Sequence, residues 1–327
     1  MSFKPETFYK KEISKFEKKY SNLITTQKPK SLYEPCNYIV KSGGKRLRPF
    51  LVMLSALAVN SKISSVTNAA IAVELLHNFT LAHDDIMDNA DKRRGRTTLH
   101  IKYNTNTAIL AGDNLIAMAY KSLLKDCKHS TNDVVNDFTQ GIIEVCEGQS
   151  LDTDFEIREK VSKEEYLIMI QKKTAALAET CCSIGARLGG GSTQEISALR
   201  KYGRYLGLAF QIQDDILDVM ANEKELGKKI GGDLIEGKKT YLLLSALDKA
   251  KGNDKKILQK VIANKGIKSN QVNTYRKLFL KLGVIDDASK QVNKYTDMAL
   301  AQLKRIKNEQ AKTSLVWLAN YLTNRKK

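Results

Sequence analysis

Apolar residues recur at three- and four-residue spacing along almost the whole of this 327-residue chain, and no stretch sustains an alternation of period two. That pattern gives each segment one apolar stripe of a helix and offers no face of a sheet, so it predicts an all-α fold. With only 4 prolines and 19 glycines to interrupt it, the chain supports long helices. The spacing places them at 6–25, 34–41, 49–60, 64–90, 107–128, 132–150, 162–188, 193–221, 238–250, 253–263, 268–282, 284–306 and 309–324. The breaks coincide with stop signals: Gly43-Gly44 ahead of Pro49, Gly189-Gly190-Gly191, Gly227 and Gly231-Gly232. None is long enough to be a linker between domains, so residues 1–327 are expected to form a single domain.

A net charge of +18 suits anionic partners, but lysine is spread through the chain without forming one basic block. Most of it is expected to be solvated helix surface. A nucleic-acid partner would account for the charge and leave the acidic motifs below unexplained. The five cysteines (Cys36, Cys127, Cys146, Cys181, Cys182) are odd in number and form no CxxC pair, which argues for reduced thiols over disulfides or a zinc site. The N-terminus lacks an apolar leader and no stretch reaches the roughly 18 apolar residues of a membrane span. A cytoplasmic protein without a membrane span is the expectation.

One short self-similarity stands out. His83-Asp84-Asp85-Ile86-Met87-Asp88 is echoed by Gln213-Asp214-Asp215-Ile216-Leu217-Asp218. On a helix, Asp84 with Asp88 and Asp214 with Asp218 lie one above the other, while the second aspartate of each motif sits about 100° round the axis. Like charges so spaced destabilise a helix by roughly 0.2 to 0.5 kcal/mol per pair. A cation relieves that repulsion. Carboxylate oxygens without histidine or thiolate suit a hard cation, and magnesium typically takes one or two carboxylates, several waters and phosphate oxygens of a substrate. Each motif follows strongly apolar helix, Ala69 to Ala82 and Tyr205 to Ile212, so neither belongs to a generally polar face.

Basic motifs accompany them. Gly43-Gly44-Lys45-Arg46-Leu47-Arg48-Pro49 puts three cations in a glycine-permitted turn ahead of a helix, an arrangement that makes sense if an anion binds among them. Arg93-Arg94-Gly95 follows the first acidic cluster closely. Lys173-Thr174 lies within a helix, and Gly227-Lys228, Asp233 and Gly237-Lys238 follow the second cluster. His77 precedes Asp84 by seven residues on an apolar helix, where a lone histidine is ordinarily a satisfied core residue.

In order and spacing, GGKRLRP at 43–49, DDIMD at 84–88, RRG at 93–95, KT at 173–174, FQIQDDILD at 210–218 and GKKIGGDLIEGK at 227–238 resemble the trans-type isoprenyl (polyprenyl) diphosphate synthases. The resemblance implies the isoprenoid synthase fold, an antiparallel helix bundle around a deep cavity with the two clusters facing across it, usually as a homodimer. It further implies a prenyltransferase that condenses isopentenyl diphosphate with an allylic diphosphate. By the resemblance, Asp84, Asp85, Asp88 and Asp214 would serve Mg2+, with Asp215 and Asp218 acting mainly through water. Arg93, Lys173 and Lys238 would contact the allylic diphosphate, with Lys228 closing the site. Lys45, Arg48, His77 and Arg94 would grip isopentenyl diphosphate, while Thr174 and Gln211 would face the developing cation. No general base is implied, since in the family the departing diphosphate takes the proton.

Phe79 and Thr80, five and four residues before the first DDxxD, occupy the positions that set product length in the family. An aromatic followed by a small residue resembles synthases that stop near fifteen or twenty carbons, and the absence of a two-residue insertion in the first cluster tilts towards twenty. Leu115 or Met118 of the next helix could override that floor. Arg96-Thr97-Thr98 departs from the proline often found there, in a loop without catalytic residues. A long-chain synthase and a silent subunit of a heteromeric synthase are the alternatives, although such subunits usually lose aspartates that are all retained here. Terpene cyclases and head-to-head synthases generally lack GGKRLRP.

Overall fold

The computed structural model describes residues 3–24, 27–128, 130–221 and 230–323. Helices account for nearly all of them: α1 (Pro5–Tyr20), α2 (Lys30–Val40), α3 (Leu47–Ala58), α4 (Thr67–Met87), α5 (Leu99–Lys102), α6 (Thr105–Leu123), α7 (Thr131–Ile157), α8 (Lys163–Ile170), α9 (Ala176–Leu188), α10 (Thr193–Met220), α11 (Gly232–Ile235), α12 (Tyr241–Lys249), α13 (Gly252–Ala263), α14 (Val272–Lys281), α15 (Val284–Gln302) and α16 (Glu309–Thr323). The all-α expectation holds, and local chemistry explains where boundaries moved. Asn104 caps α6 by accepting the Thr107 N–H at 2.8 Å, so the helix starts at Thr105. Pro35, expected near the start of α2, lies inside it. Through Ser150 to Ile157, where Ser150, Asp152, Thr153 and Asp154 are weak helix formers, α7 persists because Leu151 and Phe155 pack into a core.

The periodicity gave no sign of one feature. Lys92–Arg93 and Arg96–Thr97 form a two-residue-loop hairpin, β1 and β2, with Arg93 opposite Arg96. Its loop residues Arg94 and Gly95 have φ of 53° and 75°, the positive values that a tight hairpin turn demands.

Packing divides the chain into two compact units, Met1–Thr139 with Thr180–Leu199 and Arg305–Leu315, and Gln140–Glu179 with Arg200–Lys304 and Val316–Lys327. Four of the five cuts fall inside α7, α9, α10 and α16, and the fifth falls in the 3-10 turn Leu303–Arg305 that follows α15. In the first unit α4 packs along α6, with α2 on α6 and α3 on α4. Its core includes the fully buried Phe16, Tyr20, Phe50, Leu75, Leu115 and Phe138. In the second unit Phe155, Tyr166, Ile212, Leu243, Phe279 and Val292 belong to one apolar cluster, and α12 packs against both α8 and α15.

Candidate active site

In the first unit the two outer aspartates of the first acidic cluster share a side, as the spacing predicts. Asp84 is half-buried in the last turn of α4, and Asp88 is exposed just past its end, its backbone N–H donating to the Asp84 carbonyl at 2.8 Å. The second aspartate turns inward: Asp85 is 4% exposed and accepts from Arg93 Nε. Burial raises the Asp85 pKa and the Arg93 charge opposes that rise. The hairpin supplies this arginine, so its unusual turn has a function in placing Arg93 and Arg94.

The GGKRLRP turn divides its three cations. Lys45 is exposed, with its carbonyl accepting from Tyr9 Oη. Arg48 donates from Nη1 to His77 Nε2 at 3.1 Å. Burial first, then the charges of Arg48, Arg94, Arg93 and Arg46, hold the His77 pKa well below 6.5, so the ring is neutral and Nε2 accepts. His77 is thus a partner of the basic cluster, alongside residues with which the resemblance groups it. Arg94 donates to the Gly43 carbonyl, and a Cβ on Gly44 (φ +142°) would lie 2.7 Å from Arg94 Nη1. Arg48, His77 and Arg94 are therefore brought together as expected. Arg46 is not part of that group. It is 3% exposed and bonds Glu17 and Glu74, each at 2.6 Å, which makes it a structural residue.

Thr80 donates to the His77 carbonyl at 2.8 Å, and the Phe79 ring lies 4.6 Å from that of His83, one turn along α4. His83 in turn meets α6 at Gly112, where a Cβ would fall 2.4 Å from its Nε2. The Phe79 ring is therefore held by contacts within its own unit. Leu115 is fully buried on α6, while Met118 Sδ takes a contact from Asn114 Nδ2 at 3.5 Å.

In the second unit Lys173 and Thr174 occupy a π-helical turn, Gln171–Ala175, inserted between α8 and α9 where an unbroken helix was expected. Such single-turn insertions re-aim side chains. Two glycines make room for it. A Cβ at Gly148 of α7 would lie 2.1 Å from Lys173 N, and one at Gly207 of α10 would lie 2.5 Å from Ala175 Cα. We expect Gly148→Ala to cost about 1–3 kcal/mol by overpacking against backbone that cannot move aside. Urea denaturation measures this, and unchanged stability would contradict it.

From the π-turn, Thr174 Oγ1 donates to Gln211 Oε1 at 3.0 Å and Lys173 Nζ bonds Asp152 Oδ2 at 2.5 Å. The second acidic cluster repeats the pattern of the first. Asp214 is exposed, Asp218 half-buried and Asp215 only 3% exposed. Asp233, to which neither the residue pattern nor the resemblance gives a role, joins them through its backbone N–H, which donates to Asp218 Oδ2 at 3.2 Å. Lys238 pairs with Glu236 at 2.9 Å. Lys228 lies outside the described residues. Thr174, Gln211, Lys173, Asp215, Asp233 and Lys238 line a cavity of about 130 Å³.

Burial, then Asp218 and Asp215, push the Asp233 pKa well above its ordinary value, and burial pushes Asp215 from 3.8 up to about 7. Both pKa values are raised, so the folded protein keeps protons that the unfolded chain has released. The resulting stability is complete below the ordinary carboxylate range and is lost as pH rises through about 7. The metal-free Tm should accordingly fall between about pH 5 and pH 8, and Asp233→Asn should flatten that fall. A Tm rising over this interval would contradict the assignment.

The donors are carboxylate oxygens with mutual repulsion to relieve, which fits a hard divalent cation. Among the described residues no three His, Cys, Asp or Glu side chains form a ready-made cage. A cation that also uses water and phosphate oxygens needs none.

The sequence pattern of the polyprenyl synthetase family matches residues 29–279. The chain is 40% identical over 306 residues to the geranylgeranyl diphosphate synthase of Methanosarcina mazei, covering 93% of this chain and 92% of that one. The structure of geranylgeranyl pyrophosphate synthetase from Pyrococcus horikoshii matches with a TM-score of 0.90 at 35% identity over 98% of each chain. A polyprenyl synthase from Caulobacter crescentus, complexed with calcium and isoprenyl diphosphate, matches with a TM-score of 0.90 at 26% identity over 99% of this chain and 97% of that one.

Proposed function

The chain belongs to the polyprenyl synthetase family and is a short-chain prenyltransferase, and we propose that it makes geranylgeranyl or farnesyl diphosphate in a magnesium-dependent reaction. The observation that carries this reading is the gathering of Asp215 and Asp233 with Lys173, Lys238, Thr174 and Gln211 at one cavity, with Asp218 accepting from the Asp233 backbone N–H. Carboxylates for a cation, ammonium groups for a diphosphate and neutral oxygens for a carbocation are what ionisation of an allylic diphosphate needs. Calcium and isoprenyl diphosphate in the Caulobacter structure support the pairing of a divalent ion with this substrate class.

Asp84, Asp85, Asp88, Asp214 and, through water, Asp215 and Asp218 would hold the magnesium. When bound, magnesium supplies positive charge to the leaving diphosphate. Arg93, Lys173 and Lys238 neutralise the rest of that charge as the carbon–oxygen bond breaks. Thr174 and Gln211 turn oxygen dipoles towards the cation. Lys45, Arg48, His77 and Arg94 fix isopentenyl diphosphate so that its double bond attacks the allylic carbon. Loss of a proton to the departing diphosphate then restores neutrality at carbon. Phe79 and Thr80 form the floor that ends growth. A homodimer of single-domain subunits in the cytoplasm completes the proposal; α7, α9, α10 and α16 running across four of the five packing boundaries support the single domain, and an odd number of cysteines without CxxC spacing suits a reducing compartment.

The test is product length. Purified chain with labelled isopentenyl diphosphate and, separately, dimethylallyl, geranyl and farnesyl diphosphates should give a discrete product ending at twenty carbons. Much longer chains would identify a long-chain synthase. No elongation with substrate bound would identify a silent subunit.

A further inference from the structure

We propose that Tyr166 is a positioning residue for the prenyl transfer, acting through Asp215 to hold Gln211 and Thr174 in the orientation that stabilises the allylic cation. The inference rests on the prenyltransferase reading and gives Asp215 a task beside its water-mediated place at the magnesium. Tyr166 is 3% exposed in α8, and its hydroxyl donates to Asp215 Oδ2 at 2.5 Å. The same oxygen accepts the Tyr241 backbone N–H at 3.1 Å, and Asp215 Oδ1 accepts Gln211 Nε2 at 3.3 Å. Both carboxylate oxygens are thus engaged by protein donors.

The chain of bonds has a direction. In its ionised form Asp215 accepts from the Gln211 amide, so the amide nitrogen faces Asp215 and the amide oxygen faces Thr174. Thr174 in turn donates its hydroxyl proton to that oxygen at 3.0 Å. With its proton so committed, Thr174 has only lone pairs left for the cavity that it lines with Gln211. A carbocation is stabilised by lone pairs and repelled by an O–H or N–H dipole turned towards it. Without the Tyr166 hydroxyl, Asp215 can turn, Gln211 can flip, and Thr174 is released to present its hydrogen instead.

The experiment measures steady-state kinetics of the purified full chain with magnesium, isopentenyl diphosphate and farnesyl diphosphate. Tyr166→Phe should lower kcat at least about tenfold while KM for each substrate stays within about twofold. In a Gln211→Met background, where no amide remains to be oriented, the same change should alter kcat by less than about twofold. Tyr275→Phe is the control: Tyr275 is 5% exposed in the same core, its hydroxyl bonds only the Ile257 carbonyl among the described contacts, at 3.2 Å, and its loss should leave kcat unchanged. Wild-type kcat in Tyr166→Phe, an equal loss in the Gln211→Met background, or a loss confined to KM would overturn the inference while leaving the prenyltransferase reading intact. Failure of the unmodified chain to elongate any starter would instead overturn the reading, and the inference with it.

Discussion

Asp84→Ala is expected to lower kcat about a thousandfold or more, a barrier increase of about 4 kcal/mol, without destabilising the fold. Asp84 and Asp88 sit at the C-terminal end of α4 on a shared side, where the helix dipole is negative and a second carboxylate adds repulsion. Removing one of them relieves an unfavourable arrangement, so the metal-free Tm should hold or rise. Loss of activity with undiminished stability marks a residue kept for its function. Elongation rates with labelled isopentenyl diphosphate, read beside thermal denaturation, measure both; near wild-type kcat would remove Asp84 from the reaction.

Arg46→Ala should do the opposite and cost about 3–5 kcal/mol of stability, because it leaves the carboxylate of Glu74 buried without its partner. The side chains of Arg46 and Glu74 are only 1% and 3% exposed. Arg46 also donates to the Val40 carbonyl at 3.2 Å and lies over the Tyr20 ring, so it ties α1, the end of α2 and α4 together within one unit. Replacing Arg46 and Glu74 together by methionine should recover much of the loss, since no unpaired charge then remains. The neighbouring Lys45→Ala, at an exposed position, should change stability by less than about 0.5 kcal/mol. Chemical denaturation of the three variants distinguishes these outcomes.

Arg46 also shows what the sequence could not reveal. As residues of one turn Lys45, Arg46 and Arg48 look alike, and although the resemblance gives roles only to Lys45 and Arg48, it takes burial beside two glutamates to show Arg46 as structural. The π-turn was hidden for a similar reason. Its cause lies in Gly148 and Gly207, on helices far away in the chain, and a glycine inside a helical pattern has many explanations. The hairpin escaped because it is only two residues per strand, and Arg94 at positive φ is a poor turn signal. For His77 the residue pattern alone suggests a satisfied core histidine, because its partners, Arg48 and the hairpin arginines, come from separate segments; only the family resemblance groups it with them.

What was legible was periodic or local. Three-and-four spacing marked the long helices. DDxxD spacing correctly set Asp84 with Asp88 and Asp214 with Asp218, and its 100° offset foretold that Asp85 and Asp215 would face elsewhere. Tyr166 carried no signal, being one aromatic among the apolar residues of α8, and its significance appears only where its hydroxyl meets Asp215.

The central claim is a metal-dependent prenyl transfer that uses both aspartate clusters. The most direct test incubates the purified chain with labelled isopentenyl diphosphate and farnesyl diphosphate, first with magnesium, then with chelator, then with magnesium restored, alongside Asp214→Ala. The predicted result is a twenty-carbon diphosphate that forms only with magnesium, returns when magnesium does and nearly vanishes in the variant. Elongation that continues undiminished in chelator, or in Asp214→Ala, would contradict it.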